Sequence, residues 1–294
     1  MGKDFISLFD PKTGKYIRSG IMENGKDTGV DPFAASFPEL LDIGIMGHCA
    51  HGQSGLCIKA GIECYQDGPR QSKPNMSIQY FENIVSQCKQ QTYQFALGGC
   101  GDPDQHEHFQ EILEICAHAG IVPNYTTSGF GLTEELTWLC KKYCGAVAVS
   151  WYRSRYTQRA VESLVKAGVK TNIHYVLSRS TVHEAVERLE GHSFPEGINA
   201  IVFLTVPALI NTKSSMDWRS LDTCEEARWS AYISSDMKMM LCSFDNQEMR
   251  WAVDLRKPGI VRNLKSSEMI SGQPARGVKS SMYVWADVRL DQKL

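Results

Sequence analysis

The chain has 294 residues, of which 43% are hydrophobic and 22% are charged, a globular composition with enough apolar residues for a substantial core. The net charge of -2 provides no overall attraction to nucleic acid or to membrane surfaces, so neither is expected as a partner. No apolar run is long enough for a membrane helix, and the N-terminus lacks the features of a secretory signal, so we expect a cytoplasmic protein.

Residues 1–39 are predicted to form an N-terminal appendage. The segment FDPKTGKYIRSG alternates polar and apolar residues around a Pro-Lys-Thr-Gly turn, which is the pattern of a β-hairpin. The segment ENGKDTGVDP that follows is rich in turn-forming residues and is predicted to be a loop.

From residue 40 to residue 206, short apolar runs rich in β-forming residues alternate with amphipathic stretches of helical period. The predicted strands are residues 41–46, 93–97, 121–125, 146–150, 171–176 and 200–206. The predicted helices are residues 77–90, 105–119, 133–143, 156–167 and 181–189. This alternation is typical of parallel strands joined by right-handed crossovers. Six units, with none detected beyond them, predict an α/β fold, a partial (β/α)6 TIM-type barrel, followed by a small C-terminal extension.

The segment between the first predicted strand and the first predicted helix is unusually long and contains Cys49, Cys57 and Cys64. It begins at the carboxyl end of a parallel strand, where α/β folds place their chemistry. For clustered cysteines in a cytoplasmic chain, metal ligation or catalysis is favoured over disulfide formation. Two interpretations are open at this point: three ligands of one metal centre, or three ordinary thiols in a loop.

Several other cysteines and histidines have simpler interpretations. The cysteines that lie among apolar residues in helical patterns, and are predicted to pack in the core, are Cys88, Cys116 and Cys140. Cys100 is predicted to be a small residue that fills space in a glycine-rich turn. His106 and His108 stand at the start of a helix and are predicted to lie on the surface.

Glycine and polar residues follow several of the other strands. The second strand is followed by Gly98-Gly99-Cys100-Gly101-Asp102-Pro103, where glycines allow a close backbone approach to a ligand and the carboxylate can accept hydrogen bonds. The third strand ends in Thr126-Thr127-Ser128-Gly129, the fourth in Ser150-Trp151-Tyr152-Arg153, and the fifth carries His174 and Tyr175. Because adjacent parallel strands end at the same edge, we expect these groups to surround one opening covered by the cysteine segment.

These features resemble the radical S-adenosylmethionine (SAM) superfamily, with residues 40–206 as the core domain. The resemblance implies that Cys49, Cys57 and Cys64 hold a 4Fe-4S cluster whose open iron is chelated by SAM. It also implies a set of SAM-binding residues at the strand ends and beside the third cysteine: Gly98, Gly99, Gly101, Asp102, Ser128, Ser150 and Tyr65.

Two features differ from the usual pattern of that family. Asp102 stands where a glutamate is usual, and the three cysteines are separated by seven and then six residues, a wider spacing than is usual. Thiolates on a flexible loop can still converge on one cluster, because ligation depends on geometry and not on a fixed interval. Gly52, Gly55 and Gly61 supply backbone freedom for such a loop.

The resemblance implies reductive cleavage of SAM to methionine and a 5′-deoxyadenosyl radical that abstracts hydrogen from a substrate. Residues 207–256, with strands predicted around a turn at 234–236, are similar to the SPASM/twitch extensions of peptide- and protein-modifying enzymes. This similarity implies a peptide or protein substrate, and the family implies an electron donor such as flavodoxin or ferredoxin. No cysteine follows Cys224 and Cys242, so no auxiliary cluster is assigned, and residues 257–294 are predicted to be an irregular tail.

A different class of function also fits the cysteine segment. His48 and His51 flank Cys49, and zinc accepts mixed cysteine and histidine ligands, so a zinc-stabilised module is one alternative. A relative of the radical SAM enzymes with a degenerate, non-catalytic cluster is another. Both alternatives predict a metal-binding protein without turnover.

Overall fold

The computed structural model describes residues 5–20, 22–28, 37–59, 64, 68–152, 154–177, 180–205, 230–240, 253–254 and 283–284. The predicted N-terminal hairpin is confirmed: strand β1 (Phe5–Asp10) pairs antiparallel with strand β2 (Lys15–Gly20). Strands β3 (Met22–Glu23) and β4 (Lys26–Asp27) form a second short ribbon where the sequence predicted a loop. Its Asn24-Gly25 turn has positive φ at both residues, as the two-residue hairpin turn requires.

The six predicted parallel strands are confirmed, and each pairs with the next in chain order. They are β5 (Leu40–Met46), β6 (Gln94–Gly99), β7 (Val122–Thr127), β8 (Val147–Ser150), β9 (Thr171–Leu177) and β10 (Ala200–Thr205). The helices are α1 (Ala50–Gln53), α2 (Leu56–Lys59), α3 (Ile78–Cys88), α4 (Phe109–Ala119), α5 (Glu134–Tyr143), α6 (Arg155–Lys166) and α7 (Val182–Glu190). Within the described residues, none of these helices has the length and apolar character needed to cross a membrane.

Local chemistry at the helix ends agrees with the sequence. The side chain of Ser77 accepts a hydrogen bond from the backbone N–H of Tyr80 at the start of α3, and Thr133 caps α5 in the same way through Leu136. Helix α4 ends at Gly120, whose φ of 72° is the left-handed conformation that glycine adopts without strain. These signals explain why the helices begin and end close to the predicted residues.

Four further strands extend the parallel sheet to ten strands. They are β11 (Ser230–Ile233), β12 (Lys238–Met240), β13 (Val253–Asp254) and β14 (Tyr283–Val284). The predicted turn at residues 234–236 is confirmed between β11 and β12. Cys224 and Cys242 lie outside the described residues, as do residues 206–229 and 241–252 and most of residues 257–294.

Strand β11 runs parallel to β5 on the side opposite β6. The ring and hydroxyl of Tyr232 occupy the space that a side chain at Gly44 would need. Any larger residue at Gly44 would therefore displace the side chain of Tyr232. Residues 230–233 are thus an integral part of the sheet.

The two faces of the parallel strands have different environments. Phe95 of β6 packs edge-to-face on Phe81 of α3 with ring centroids 6.0 Å apart, and Tyr125 of β7 packs on Phe109 of α4 at 5.3 Å. These positions face the helices and are buried. The alternate positions, such as Thr126, face the other side and are only half-buried.

The N-terminal hairpin lies across the amino edge of the sheet. Phe9 stacks on Tyr93, which immediately precedes β6, with ring centroids 5.6 Å apart. The hydroxyl of Tyr16 donates a hydrogen bond to Glu39, which immediately precedes β5. The ammonium of Lys170, just before β9, donates to a carbonyl oxygen of the β1–β2 turn at 3.0 Å. The predicted appendage is therefore anchored to the amino ends of three strands.

Candidate functional site

The cysteine segment follows β5 at the carboxyl edge of the sheet, and it contains helices α1 and α2 where the sequence predicted only a loop. Cys49 caps α1, its Sγ accepting the backbone N–H of Gly52 at 3.1 Å. The Sγ of Cys64 accepts the N–H of Gly68 at 3.3 Å, and Cys57 is buried in α2. None of the three cysteines is in a disulfide.

Gly68 lies next to two of the three cysteine sulfurs. A Cβ atom at Gly68 would lie 3.4 Å from the Sγ of Cys64 and 3.6 Å from the Sγ of Cys49. It would also lie 3.1 Å from the Cβ of Cys49, so the absence of a side chain is what allows this approach. Sequence reasoning did not identify Gly68, although its place shortly after the third cysteine was a usable signal.

The third sulfur has a different environment. The Sγ of Cys57 lies 4.0 Å from the carbonyl oxygen of His51. Within the part of the chain that the structure describes, no three His, Cys, Asp or Glu side chains are placed together closely enough to hold a metal ion. Cys57 is nevertheless close enough to Cys49 for its charge to affect the pKa of Cys49. Burial raises the pKa of Cys49 to about 11, and negative charge on Asp102, Cys64 and Cys57 adds to the rise.

The glycine turn after β6 packs directly on the cysteine segment. Gly99 and Gly101 have φ of 105° and 131°, and side chains on them would overlap the backbone of Met46 and of His48. A Cβ at Gly101 would also lie 3.0 Å from the Cα of Cys49. Gly101 thus allows a close approach to the cysteine segment itself, and Gly99 allows one to the end of β5. Gly98 differs, because a Cβ there would meet nothing within 4 Å, so this glycine faces open space.

Asp102 and Ser128, predicted separately, are brought into contact. The backbone N–H of Ser128 donates to Oδ1 of Asp102 at 2.7 Å, and the hydroxyl of Ser128 donates to Oδ2. Burial raises the pKa of Asp102, and the two hydrogen bonds from Ser128 oppose that rise. The carbonyl oxygen of Ser128 in turn accepts the hydroxyl of Thr157 in α6 at 3.2 Å.

A second carboxyl group, Asp104, is buried directly beyond the glycine turn. Its Oδ1 accepts a hydrogen bond from the side chain of Gln105 at 3.2 Å, whereas Oδ2 has no hydrogen-bond partner in the described residues. Burial, together with the nearby charge of Asp102, raises the pKa of Asp104 to about 7. Sequence reasoning did not identify this group, because burial of a turn residue has no local sequence signal.

The fourth and fifth strands contribute unequally to the site. Ser150 ends β8, is half-buried, and pairs in register with His174 of β9. The Nδ1 of His174 lies 3.4 Å from the hydroxyl of Thr126, and burial lowers the pKa of His174 to about 4, so the ring is neutral. The expectation that Tyr175 would line the opening is wrong. Successive strand residues face opposite sides, and Tyr175 is buried with its ring 6.0 Å from that of Phe194.

The predictions for the histidines are confirmed only in part, whereas those for the core cysteines are confirmed. The prediction that His106 lies on the surface is wrong, because the residue is buried with Nε2 3.0 Å from the carbonyl oxygen of Met76, while His108 is exposed. Cys100 is buried in the glycine turn. The cysteines predicted to be buried in the core, and confirmed there, are Cys88, Cys116 and Cys140. Tyr65, predicted to bind SAM, lies outside the described residues.

One contact of the cysteine segment was not expected. His51 of α1 is buried, with its Nε2 2.8 Å from the hydroxyl of Tyr156 at the start of α6. Its ring stacks on Phe130, which follows β7, with centroids 5.1 Å apart. One of the two ring nitrogens of His51, considered above as a zinc ligand, is therefore already engaged.

No protein-family profile matches the sequence, and no curated protein matches it. Solved structures do match. SuiB of Streptococcus suis bound to the precursor peptide SuiA is 13% identical, with a TM-score of 0.56 over 83% of this chain and 72% of SuiB. SuiB bound to S-adenosylmethionine is 14% identical, with a TM-score of 0.54 over 77% of this chain and 65% of SuiB. The chain thus spans roughly two thirds of SuiB.

The enzyme anSMEcpe with bound AdoMet is also similar. It is 14% identical, with a TM-score of 0.56 over 77% of this chain and 80% of anSMEcpe. The mostly parallel sheet described above is matched in both SuiB and anSMEcpe. This chain therefore shares the α/β fold of these two proteins, both of which have been solved with S-adenosylmethionine bound.

Proposed function

We propose that the protein is a radical SAM enzyme that uses a 4Fe-4S cluster held by Cys49, Cys57 and Cys64. The observation that supports this most strongly is the packing of Gly101 on the backbone of His48 and Cys49. It joins a three-cysteine segment to a glycine turn at the carboxyl edge of a sheet, in a fold shared with structures that bind AdoMet.

The donor set fits an iron–sulfur cluster in its chemistry. Thiolates are the usual ligands of such clusters, and hydrogen bonds to the sulfurs tune the reduction potential. All three thiols are free, and those of Cys49 and Cys64 each accept a backbone N–H. Bound there with SAM and reduced by an electron donor, such a cluster would supply the electron for reductive cleavage of the sulfonium to methionine and a 5′-deoxyadenosyl radical, which would take hydrogen from the substrate.

The residues of the glycine turn would bind SAM through its cationic end. Each oxygen of Asp102 accepts one hydrogen bond from Ser128, which leaves further lone pairs for the ammonium of SAM. The open space beside Gly98 gives that group room to approach. Ser150 and Tyr65 are proposed as further contacts to SAM, by resemblance to the family.

The substrate proposed is a peptide or protein, with flavodoxin or ferredoxin as the type of electron donor. One SuiB structure contains a precursor peptide, and one anSMEcpe structure contains the Cp18Cys peptide. In this chain the neutral ring of His174 and the hydroxyl of Thr126 lie on the face of the strands that points away from the helices. Such groups suit uncharged hydrogen-bonding partners, of which the peptide amide is one.

The proposal is tested by anaerobic reconstitution with iron and sulfide, followed by dithionite and SAM. We expect about four iron atoms per chain, a brown chromophore, and formation of 5′-deoxyadenosine. The combined variant Cys49→Ala, Cys57→Ala and Cys64→Ala should bind no cluster, whereas Cys144→Ala, a change in a half-buried cysteine after α5, should bind it normally. A cluster retained by the triple variant overturns the assignment.

Metal analysis of anaerobically purified protein separates the competing class of function. A colourless protein with one zinc per chain would indicate a zinc module. A chain that forms the cluster and binds SAM but never cleaves it would indicate a degenerate, non-catalytic relative. Either result would replace the proposed function.

A further inference from the structure

Helix α1 carries His51 between two of the proposed cluster ligands, Cys49 and Cys57. Helices α1 and α2 have four residues each, and helices so short are not stable without tertiary contacts. The side chain of His51 supplies such contacts, because it is 5% exposed although it lies in a connecting segment. The position of the cysteine segment therefore depends on what surrounds this ring.

Three other aromatic rings surround the ring of His51. It stacks on Phe130 at 5.1 Å, meets the ring of Tyr156 edge-on at 5.4 Å, and lies 5.9 Å from the tilted ring of Tyr152. The one hydrogen bond described for its Nε2 is to the hydroxyl of Tyr156, at 2.8 Å.

The next residue of α6, Thr157, is bonded to the residue that holds Asp102. The hydroxyl of Thr157 donates to the carbonyl oxygen of Ser128, and Ser128 donates two hydrogen bonds to Asp102. Two consecutive residues in the first turn of α6 thus contact the cysteine segment and Ser128. Neither residue touches a cysteine sulfur in any contact that the structure describes.

We propose that Tyr156 is a positioning residue, which fixes the conformation of the cysteine segment through its hydrogen bond to His51. With Thr157 beside it, the first turn of α6 is the common support of the cysteine segment and of Asp102. As a statement about cluster binding, this inference rests on the proposed function. As a statement about the cysteine segment, it can be tested without any cluster.

The first experiment measures alkylation of individual cysteines by iodoacetamide in the metal-free full-length protein, with peptide mass mapping. Cys64 is exposed and serves as the internal reference for the buried Cys57. Tyr156→Phe keeps the ring and removes only the hydroxyl. It should raise the rate at Cys57 relative to Cys64 by about tenfold, the factor that corresponds to a hydrogen bond of about 1.4 kcal/mol. The control Tyr80→Phe changes an exposed tyrosine of α3 and should leave the ratio unchanged.

A double-mutant cycle distinguishes this bond from general loosening of the fold. His51→Phe can still stack on Phe130 but loses the ring nitrogen that is hydrogen-bonded to Tyr156, so it should raise the ratio as Tyr156→Phe does. If both variants remove the same bond, the double variant should be no more reactive than either single variant. A ratio within twofold of the wild type in both single variants overturns the inference, and so does a fully additive double variant.

The second experiment compares the reconstituted cluster of the wild type and of Tyr156→Phe by electron paramagnetic resonance. In Tyr156→Phe the g values or the midpoint potential should shift, because the hydrogen bonds to the sulfurs are altered with the segment. If the wild type binds no cluster, the proposed function fails, and the alkylation ratios still decide whether Tyr156 positions the segment. If the cluster forms with identical spectra in both proteins, the role of Tyr156 at the cluster is wrong and the proposed function is unaffected.

Discussion

The two edges of the parallel sheet are held together by different kinds of contact. At the amino edge, the hairpin packs through aromatic rings, with Phe9 on Tyr93, and through a hydrogen bond from Tyr16 to Glu39. At the carboxyl edge, backbone packs on backbone at Gly99 and Gly101, beside carboxyl groups and free thiols. Side-chain packing of the first kind tolerates changes that conserve volume, whereas the second kind requires glycine. The amino edge therefore holds the hairpin on the sheet, whereas the carboxyl edge carries the candidate site.

The largest effect is expected at the glycine turn. Gly101→Ala places a methyl group against the backbone of His48 at a φ of 131°, which alanine rarely adopts. We expect the free energy of unfolding to fall by about 1–3 kcal/mol, and iron retention to fall severalfold. Urea unfolding and iron analysis after reconstitution measure the two quantities.

Gly98→Ala is the matched control, because its methyl group would meet nothing within 4 Å. Its free energy of unfolding should stay within about 0.5 kcal/mol of the wild type. Its affinity for SAM should fall, since the methyl group enters the space proposed for the ligand. Equal destabilisation by the two substitutions would contradict the account of the carboxyl edge.

The next effect concerns the buried carboxyl of Asp104. Its pKa is raised to about 7, so between about pH 4 and pH 7 the folded chain keeps a proton that the unfolded chain has released. Stability from this group therefore falls as the pH rises through that window, and it is lowest above pH 7. Asp104→Asn should remove the dependence and stabilise the protein at pH 8 by on the order of 2–4 kcal/mol.

Urea unfolding at pH 5 and at pH 8 tests this expectation. Glu135→Gln, which changes an exposed carboxyl at the start of α5, provides the control and should leave the pH dependence of the wild type in place. If Asp104→Asn destabilises the protein equally at both pH values, the carboxyl acts through hydrogen bonds and not through its charge.

The smallest effect is expected at the amino edge. Tyr16→Phe removes the hydrogen bond to Glu39 and keeps the ring near Tyr93. The free energy of unfolding should fall by about 0.5–1.5 kcal/mol, while iron content and SAM affinity stay unchanged. A loss of cluster in this variant would mean that the two edges are coupled, contrary to the comparison made above.

Much of the fold was predictable because its signals are local. The six parallel strands and five crossover helices follow from apolar periodicity, and caps such as Ser77 and Thr133 have short sequence signatures. The short β3–β4 ribbon was missed, although its Asn24-Gly25 turn is a recognised hairpin signal. Pairing of β11 with β5 joins residues far apart in the chain, and no local pattern specifies such a partner.

The site was predictable as a set of residue types more than as a set of contacts. The sequence placed Cys49, Asp102 and Ser128 at strand ends, and the fold brings Asp102 and Ser128 together. The roles of Gly68 and Tyr156 depend on which segments meet at the carboxyl edge, which no single segment reveals. Burial of His106 and Asp104 is likewise decided by the packing of other elements over them.

The pairing of β11 with β5 also bears on how the chain folds during synthesis. Strand β5 obtains β6 as a neighbour early, but its other edge pairs with residues 230–233, which are synthesised much later. Until then β5 is an edge strand with unpaired N–H and C=O groups and an empty slot at Gly44. This edge of β5 therefore stays open until residues 230–233 have been synthesised, and pairing with β11, with Tyr232 packed beside Gly44, covers it.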